Sequence, residues 1–352
     1  MSNDFFQRII DEGIWAPSGD NSQPWYFKIY NETLNIYITP EVDNPILNVN
    51  NSGSYIAHGA MIENMIIAAR RYNKELDFTI FPDKNNPKLL AQVKVIGPAL
   101  KEAYLFDAIR KRYTNRKKYK EYILTDTQRN EIQDSIRDFS EIDLILMEDK
   151  TKRREIANLA SKMEEIALEN RALHKLFFND IIWKKEDHVN GKMGLHIKTL
   201  ELPILVQILF KGLKYWNFTK LMNIIGFSKL AAKGNAQIYY SGSAIGIITI
   251  QKNSPEDFIL AGRALQRIWL TITNLGLALQ PVTGIIFLAE RIKTEEFKDF
   301  EPKHVDLAVN AINKIKSIYE VENKTIAMMF RIGKSDPATL RTNRKAPLIN
   351  YE

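Results

Sequence analysis

The sequence predicts an α+β fold assembled from two related halves. Two observations lead to it. Runs with helical spacing of apolar residues are interleaved with short alternating or β-branched runs, the pattern of mixed helices and strands. Several runs then recur: the helix-like stretch holding Ala57, Ala60 and Met61 aligns with the one holding Ala261, Ala264 and Leu265. Residues 326–333 echo residues 93–97, and Thr-Asn-Arg-Lys occurs at residues 114–117 and again at 342–345, which reads as a fused duplication. At 352 residues, 45% hydrophobic and 26% charged, the chain suits two domains or one large fused unit with a sizeable core.

In chain order, residues 4–15 place Phe5, Ile9, Ile10 and Ile14 on one helical face. Residues 16–25, Ala-Pro-Ser-Gly-Asp-Asn-Ser-Gln-Pro-Trp, are too rich in proline, glycine and small polar groups for a helix interior or central strand. Their hydroxyls and carboxamides suit hydrogen bonding to the edge of a planar polar ligand, and a plain turn-rich connector has the same composition. Residues 26–30 and 34–38 alternate as a hairpin with Asn31 and Glu32 near the turn. A helix over 55–72, strands over 76–81 and 92–96 and a helix over 102–111 follow, the last delivering the basic run 110–120. The pattern then restarts. A helix over 125–138 has Thr125 or Asp126 as N-cap, a strand covers 142–147, and a helix covers 152–170. An irregular amphipathic region extends to about residue 236, before a strand over 243–250, a helix over 260–279 and a strand over 326–332.

Composition narrows the chemistry. With no cysteine, disulfides, thiolate catalysis and cysteine-ligated metal or iron–sulfur sites are excluded, so redox chemistry requires a bound organic cofactor. The five histidines fall in no metal-binding spacing, and no metal site is expected. The net charge of +7 fits a basic surface or an anionic ligand; acidic residues are interspersed and no nucleic-acid motif occurs, so no nucleic-acid partner is expected. The first residues show no apolar run or small-residue cleavage site, which leaves the cytoplasm as the expected location.

A helix, Pro17-Ser18, then Asn21, Gln23, Pro24 and Trp25 and a strand resembles the PSxxNxQPW loop of the nitroreductase family of FMN-dependent oxidoreductases. In that family the loop from one subunit and an RxSxR phosphate motif from the other meet at a homodimer interface. Here the first half has the loop, and Arg112-Tyr-Thr-Asn-Arg116 matches the second motif with Thr114 in place of serine. The second half has no counterpart of the loop. The resemblance therefore implies a nitroreductase-like α+β fold duplicated into a pseudo-dimer with a mixed or antiparallel sheet core, similar to the double-length, Acg-like branch of the family. It implies a first half over residues 1–120, a second over 121–352, and one FMN site. Alternation would set Arg112, Thr114 and Arg116 on one side of an extended segment, where guanidinium and hydroxyl groups suit a phosphate; a solvated basic run would look the same. Arg341 and Arg344 resemble the family's basic residue after the closing strand, and could equally be tail charges. Gly284, in Pro281-Val-Thr-Gly, matches a backbone that approaches flavin N5, or an ordinary turn.

The implied activity is ping-pong hydride transfer from NAD(P)H through flavin N5 to a small nitroaromatic or quinone-like acceptor. Flavin carries that chemistry, and no catalytic side chain is assigned. The alternative is a flavin-binding or storage protein whose lid prevents turnover. That lid is the insertion of about residues 171–235, since Met147 to Ala261 is far longer than Tyr30 to Ala57. Within it, residues 202–227 are apolar but interrupted by Lys211, Lys214 and Lys220, which argues against a membrane span. A buried lid is preferred to a lipid-binding surface helix, so a membrane partner is not expected. The fused chain is expected as a monomer or weak homodimer.

Overall fold

The computed structural model describes residues 3–294 and 300–351 of the chain. Helix α1 (Asn3–Gly13) buries Ile9 and Ile10 as expected, with Phe6 in place of Phe5 as the buried aromatic and Phe5 half-buried beside it. Strands β1 (Trp25–Tyr30) and β2 (Thr33–Ile38) pair antiparallel in register Tyr30 to Thr33. The two turn residues, Asn31 and Glu32, both have positive φ, the geometry that matches strand twist in a two-residue hairpin. Helix α2 (Ser52–Arg71) is buried on nearly every side from Ile56 to Ala69 and runs through the centre. Strands β3 (Glu75–Ile80) and β4 (Leu89–Gly97) complete this part of the sheet. The helix expected over 102–111 shrinks to one turn, α3 (Phe106–Ile109), because only Leu105, Ala108 and Ile109 sink against Ile67 and Leu270.

Helix α4 (Asp126–Asp134) starts at Thr125, whose hydroxyl and Gln128 form a reciprocal capping box. Strand β5 (Ile142–Met147) follows, and the single helix expected over 152–170 is instead α5 (Lys150–Ala160) and α6 (Lys162–Glu169), broken at Ser161. The insertion folds as α7 (Arg171–Asn179), β6 (Ile181–Ile182), α8 (Lys185–Val189), β7 (Leu195–His196), α9 (Ile204–Leu213), α10 (Trp216–Ile224) and α11 (Phe227–Tyr240). Its inner sides close on Leu168, Phe178, Ile181 and Leu213. The expectation that 202–227 is a buried lid is corrected: Ile204, Leu205, Ile208, Leu221, Ile224 and Ile225 face solvent. The apolar stripe closing that core runs along Leu209, Phe210, Leu213, Met222 and Phe227, and the remaining aliphatic residues point outward.

Strand β8 (Ala244–Ile250) is buried along its whole length, and α12 (Pro255–Asn274) packs along α2. Strand β9 (Ala278–Pro281), α13 (Gly284–Lys293), α14 (Pro302–Tyr319), β10 (Thr325–Gly333) and β11 (Ile349–Tyr351) complete the chain. The second sheet is antiparallel in order β5-β8-β10-β9. The first is mixed, β11-β1-β2-β4-β3, because the C-terminal strand returns to pair parallel with β1. A boundary drawn at residue 120 is thus crossed by the tail.

The α2–α12 crossing has local two-fold character. Gly59 lies on the carbonyl of Ile259, and Gly262 lies on the carbonyl of Ile56, with no room for a Cβ at either. Exchange of the helices therefore maps Gly59 onto Gly262, one residue off the alignment that pairs Ala57 with Ala261. The same exchange turns the Gln266–Asn64 hydrogen bond into the ion pair of Glu63 with Arg267.

Candidate functional site

The loop after α1 owes its shape to short polar residues. Asp20, Asn21 and Gln23 all have positive φ, which Asn and Asp tolerate because their side chains bond locally. The Ser18 hydroxyl accepts from the Gln23 backbone N–H at 3.0 Å and closes the turn. Both carboxamides are buried and engaged. Asn21 Nδ2 donates to the carbonyl of Asn343 and its Oδ1 accepts from Arg344 Nη1, each at 3.0 Å. Gln23 Oε1 accepts from the Lys345 backbone N–H at 3.0 Å. These groups, expected at a ligand's edge, also clamp the C-terminal tail, and Gln23 is not on a cleft wall.

The clamp brings distant segments together around one cleft. Pro17, Ser18 and Asn21 line one side. Arg112, Thr114 and Arg116 line another from an extended segment, in which Thr114 bridges Leu279 and the intervening Asn115 turns away to donate to the carbonyl of Asp336 at 2.9 Å. The tail adds Arg341, Thr342 and Arg344. Both Thr-Asn-Arg-Lys copies thus serve the same cleft. A shared environment at the cleft is enough to account for their resemblance.

Two arginines of the cationic wall, Arg112 and Arg344, lack a counter-charge. Arg112 is buried, its guanidinium lies 4.4 Å from the Trp269 ring centroid, and its Nη2 donates to the carbonyl of Trp15 at 2.8 Å. Burial, then repulsion from Arg344 and Arg341, drives its pKa well below the usual value. Arg344 donates to the carbonyls of Trp15 and Ala16, and burial followed by Arg341 lowers it to about 10. Among the described residues no carboxylate offsets either group, and the buried Nε atoms of Arg112 and Arg344 have no hydrogen-bond partner. Arg341 donates to the carbonyls of Arg110, Lys111 and Arg112 past the end of α3, a favourable place for a cation. Arg116 differs: burial lowers its pKa and Asp20 opposes that, while burial raises Asp20 against the pull of Arg116 and Asn44. Arg116 also donates to the carbonyl of Thr199 at 3.3 Å.

Gly284 does not line the cleft; its Cα faces Met163 at the start of α13. Wall residues missed by sequence reasoning are Trp15, Asp20, Tyr113, Leu195, Thr199, Leu340 and Thr342. Thr342 was visible in the repeated tetrapeptide, whereas Leu195 and Thr199 come from the insertion and carry no sequence signal. Among the described residues no group of three His, Asp or Glu side chains is placed to hold a metal ion, and no helix is long and apolar enough to cross a membrane.

No protein-family model matches the chain. An uncharacterized protein of Mycobacterium tuberculosis is 23% identical over 295 residues, 80% of this chain, and the chain spans only 39% of that relative's length. A nitroreductase with bound FMN from Bacteroides fragilis aligns over 69% of this chain and 94% of its own, at 10% identity and a TM-score of 0.35. An FMN-dependent nitroreductase from Mycobacterium smegmatis, in complex with NADPH, aligns over 69% of this chain and 95% of its own, at 13% identity and a TM-score of 0.40. Both alignments reach 69% of this chain, at TM-scores of 0.40 or less.

Proposed function

We propose that the chain is an FMN-dependent oxidoreductase that passes reducing equivalents from NAD(P)H to a small nitroaromatic or quinone-like acceptor. The observation that carries this reading is the pair of arginines, Arg112 buried and Arg344 half-buried, whose buried Nε donors are unpartnered and which no carboxylate among the described residues balances. A buried unpaired cation is costly unless an anion joins it, and a phosphate offers several acceptor oxygens to such a fork. Arg112, Arg344 and Thr114 would hold that phosphate, with Arg116 held partly in check by Asp20. Pro17, Ser18 and Asn21, matching the family's flavin loop, would flank the rest of the cofactor. Gly284 is outside this set.

When bound, FMN supplies the hydride-accepting and hydride-donating centre that no side chain of a cysteine-free protein provides. The chain's own work is binding and electrostatics. The loop and tail hold each other through Asn21 and Gln23, so the arginines are fixed before a ligand arrives and little ordering entropy remains to be lost. The cationic wall favours the more negative of two redox states of anything bound there. Leu195 and Thr199, contributed by the insertion, narrow access for bulk water and large acceptors.

That coverage by the insertion also favours a second reading, a flavin-holding protein with little turnover. Purified protein showing the visible spectrum of oxidised flavin, bleached anaerobically by NADH or NADPH, supports the oxidoreductase. Yellow protein that resists bleaching supports the holding role, and colourless protein that takes up no added FMN overturns both.

A further inference from the structure

We propose that the outward faces of α9, α10 and α11 dock this protein on a membrane surface rich in anionic phospholipid. Helix α9 turns Ile204, Leu205 and Ile208 to solvent, and α10 with the residue after it turns out Leu221, Ile224 and Ile225; each is at least 60% exposed. These residues contribute nothing to the core beneath, which closes on the opposite sides of the same helices through Leu209, Phe210, Leu213 and Met222. Single exposed aliphatic residues are ordinary, whereas successive helices presenting a run of them mark a surface that something covers.

Charge says what covers it. No acidic residue occurs between Glu201 and Glu256, while α9 to α11 and their links carry Lys211, Lys214, Lys220, Lys229 and Lys233, all exposed. A second copy seated face to face would oppose lysines to lysines with no carboxylate on these helices to pair them. An anionic lipid surface takes both parts: aliphatic side chains enter the headgroup boundary and lysines reach the phosphates. Tyr215 and Phe218, exposed at the α9–α10 corner, are residue types that settle at that boundary. Helix α9, with 10 residues, extends only about 15 Å, half the hydrocarbon thickness, so this is lateral docking and not insertion across the bilayer. The proposal is independent of the cofactor assignment.

The test is co-sedimentation of the full chain with vesicles of phosphatidylcholine alone or of phosphatidylcholine mixed with phosphatidylglycerol, at low and high salt. Binding is expected only to the phosphatidylglycerol vesicles and should weaken with salt. Replacing Lys211, Lys214 and Lys220 together by Gln should lower the partition coefficient roughly a hundredfold. Replacing Ile204, Leu205 and Ile208 by Ser should abolish binding while leaving the thermal melt unchanged, because all three are exposed. Wild-type protein that stays in the supernatant, or binds both vesicle types equally, overturns the proposal. So does a concentration-dependent dimer in gel filtration that the serine changes dissolve, since the face then belongs to a second copy.

Discussion

Replacing Arg112 by methionine should move stability and flavin retention in opposite directions. Arg112 is 4% exposed, unpaired by any carboxylate of the described residues and repelled by Arg344 and Arg341. Exchanging buried charged groups for apolar side chains of similar volume is often neutral or stabilising by about 1 to 4 kcal/mol. Against that stand one hydrogen bond to the Trp15 carbonyl, which Arg344 still serves at 3.2 Å, and the contact with the Trp269 ring. Together these are worth about 1 to 2 kcal/mol. The flavin-stripped Arg112→Met variant should therefore be as stable as the wild type or more stable by about 1 to 2 kcal/mol. Binding is the reverse. Truncating one partner of a buried, hydrogen-bonded charge contact costs about 2 to 5 kcal/mol, a loss of roughly thirtyfold to several-thousandfold in affinity. Thermal melts of stripped protein and FMN titration by fluorescence quenching measure the two arms separately. Arg112→Met that melts far lower when stripped, yet binds FMN with wild-type affinity, would refute the reasoning and make Arg112 a structural strut.

Two further outcomes follow from buried groups elsewhere. Burial raises the Glu164 carboxyl from 4.5 to about 7, despite the hydrogen bond from Tyr239, and its Oε2 has no partner. Because the folded value lies above the unfolded one, this group's contribution is fully present below 4.5 and is lost as pH rises through about 7. Glu164→Gln should remove up to about 3 kcal/mol of the stability lost between about pH 5 and about pH 8. Urea midpoints at the two pH values read this out, and superimposable pH profiles for the two proteins would show that the carboxyl does not ionise in a buried setting. At the helix crossing, Gly262→Ala gains about 1 kcal/mol of helix propensity but drives a methyl into the Ile56 carbonyl, an overpacking cost of about 3 kcal/mol or more. The melting temperature should fall, and a rise would mean that the helices can separate without penalty.

Much of the fold was legible because local pattern and burial agree. The hairpin of β1 and β2, strand β5 and the Thr125 cap fall within a residue or two of their expected places, since each is set by alternation or by a side chain bonding its own backbone. The break at Ser161 and the shrinkage of α3 were not legible, because tertiary contacts outrank helix propensity where few residues of a periodic run find a core. Likewise residues 202–227 announce an amphipathic segment, yet a one-dimensional pattern cannot say how much of the apolar side the protein itself covers.

The cleft shows the same limit at the level of single groups. That Asn21 and Gln23 hydrogen-bond was readable from their chemistry; that their partners are backbone atoms of residues 343 and 345 was not, because more than three hundred positions separate them. The repeated tetrapeptide misled in an informative way. Two stretches lining one cationic cleft come to share a Thr and an Arg facing the cavity and an Asn anchored behind, whether or not they descend from one ancestor. A two-fold relation between halves must therefore rest on geometry that chemistry at the cleft does not impose. The reciprocal seating of Gly59 and Gly262 on each other's helix is geometry of that kind, because two helix backbones in contact have no ligand to imitate.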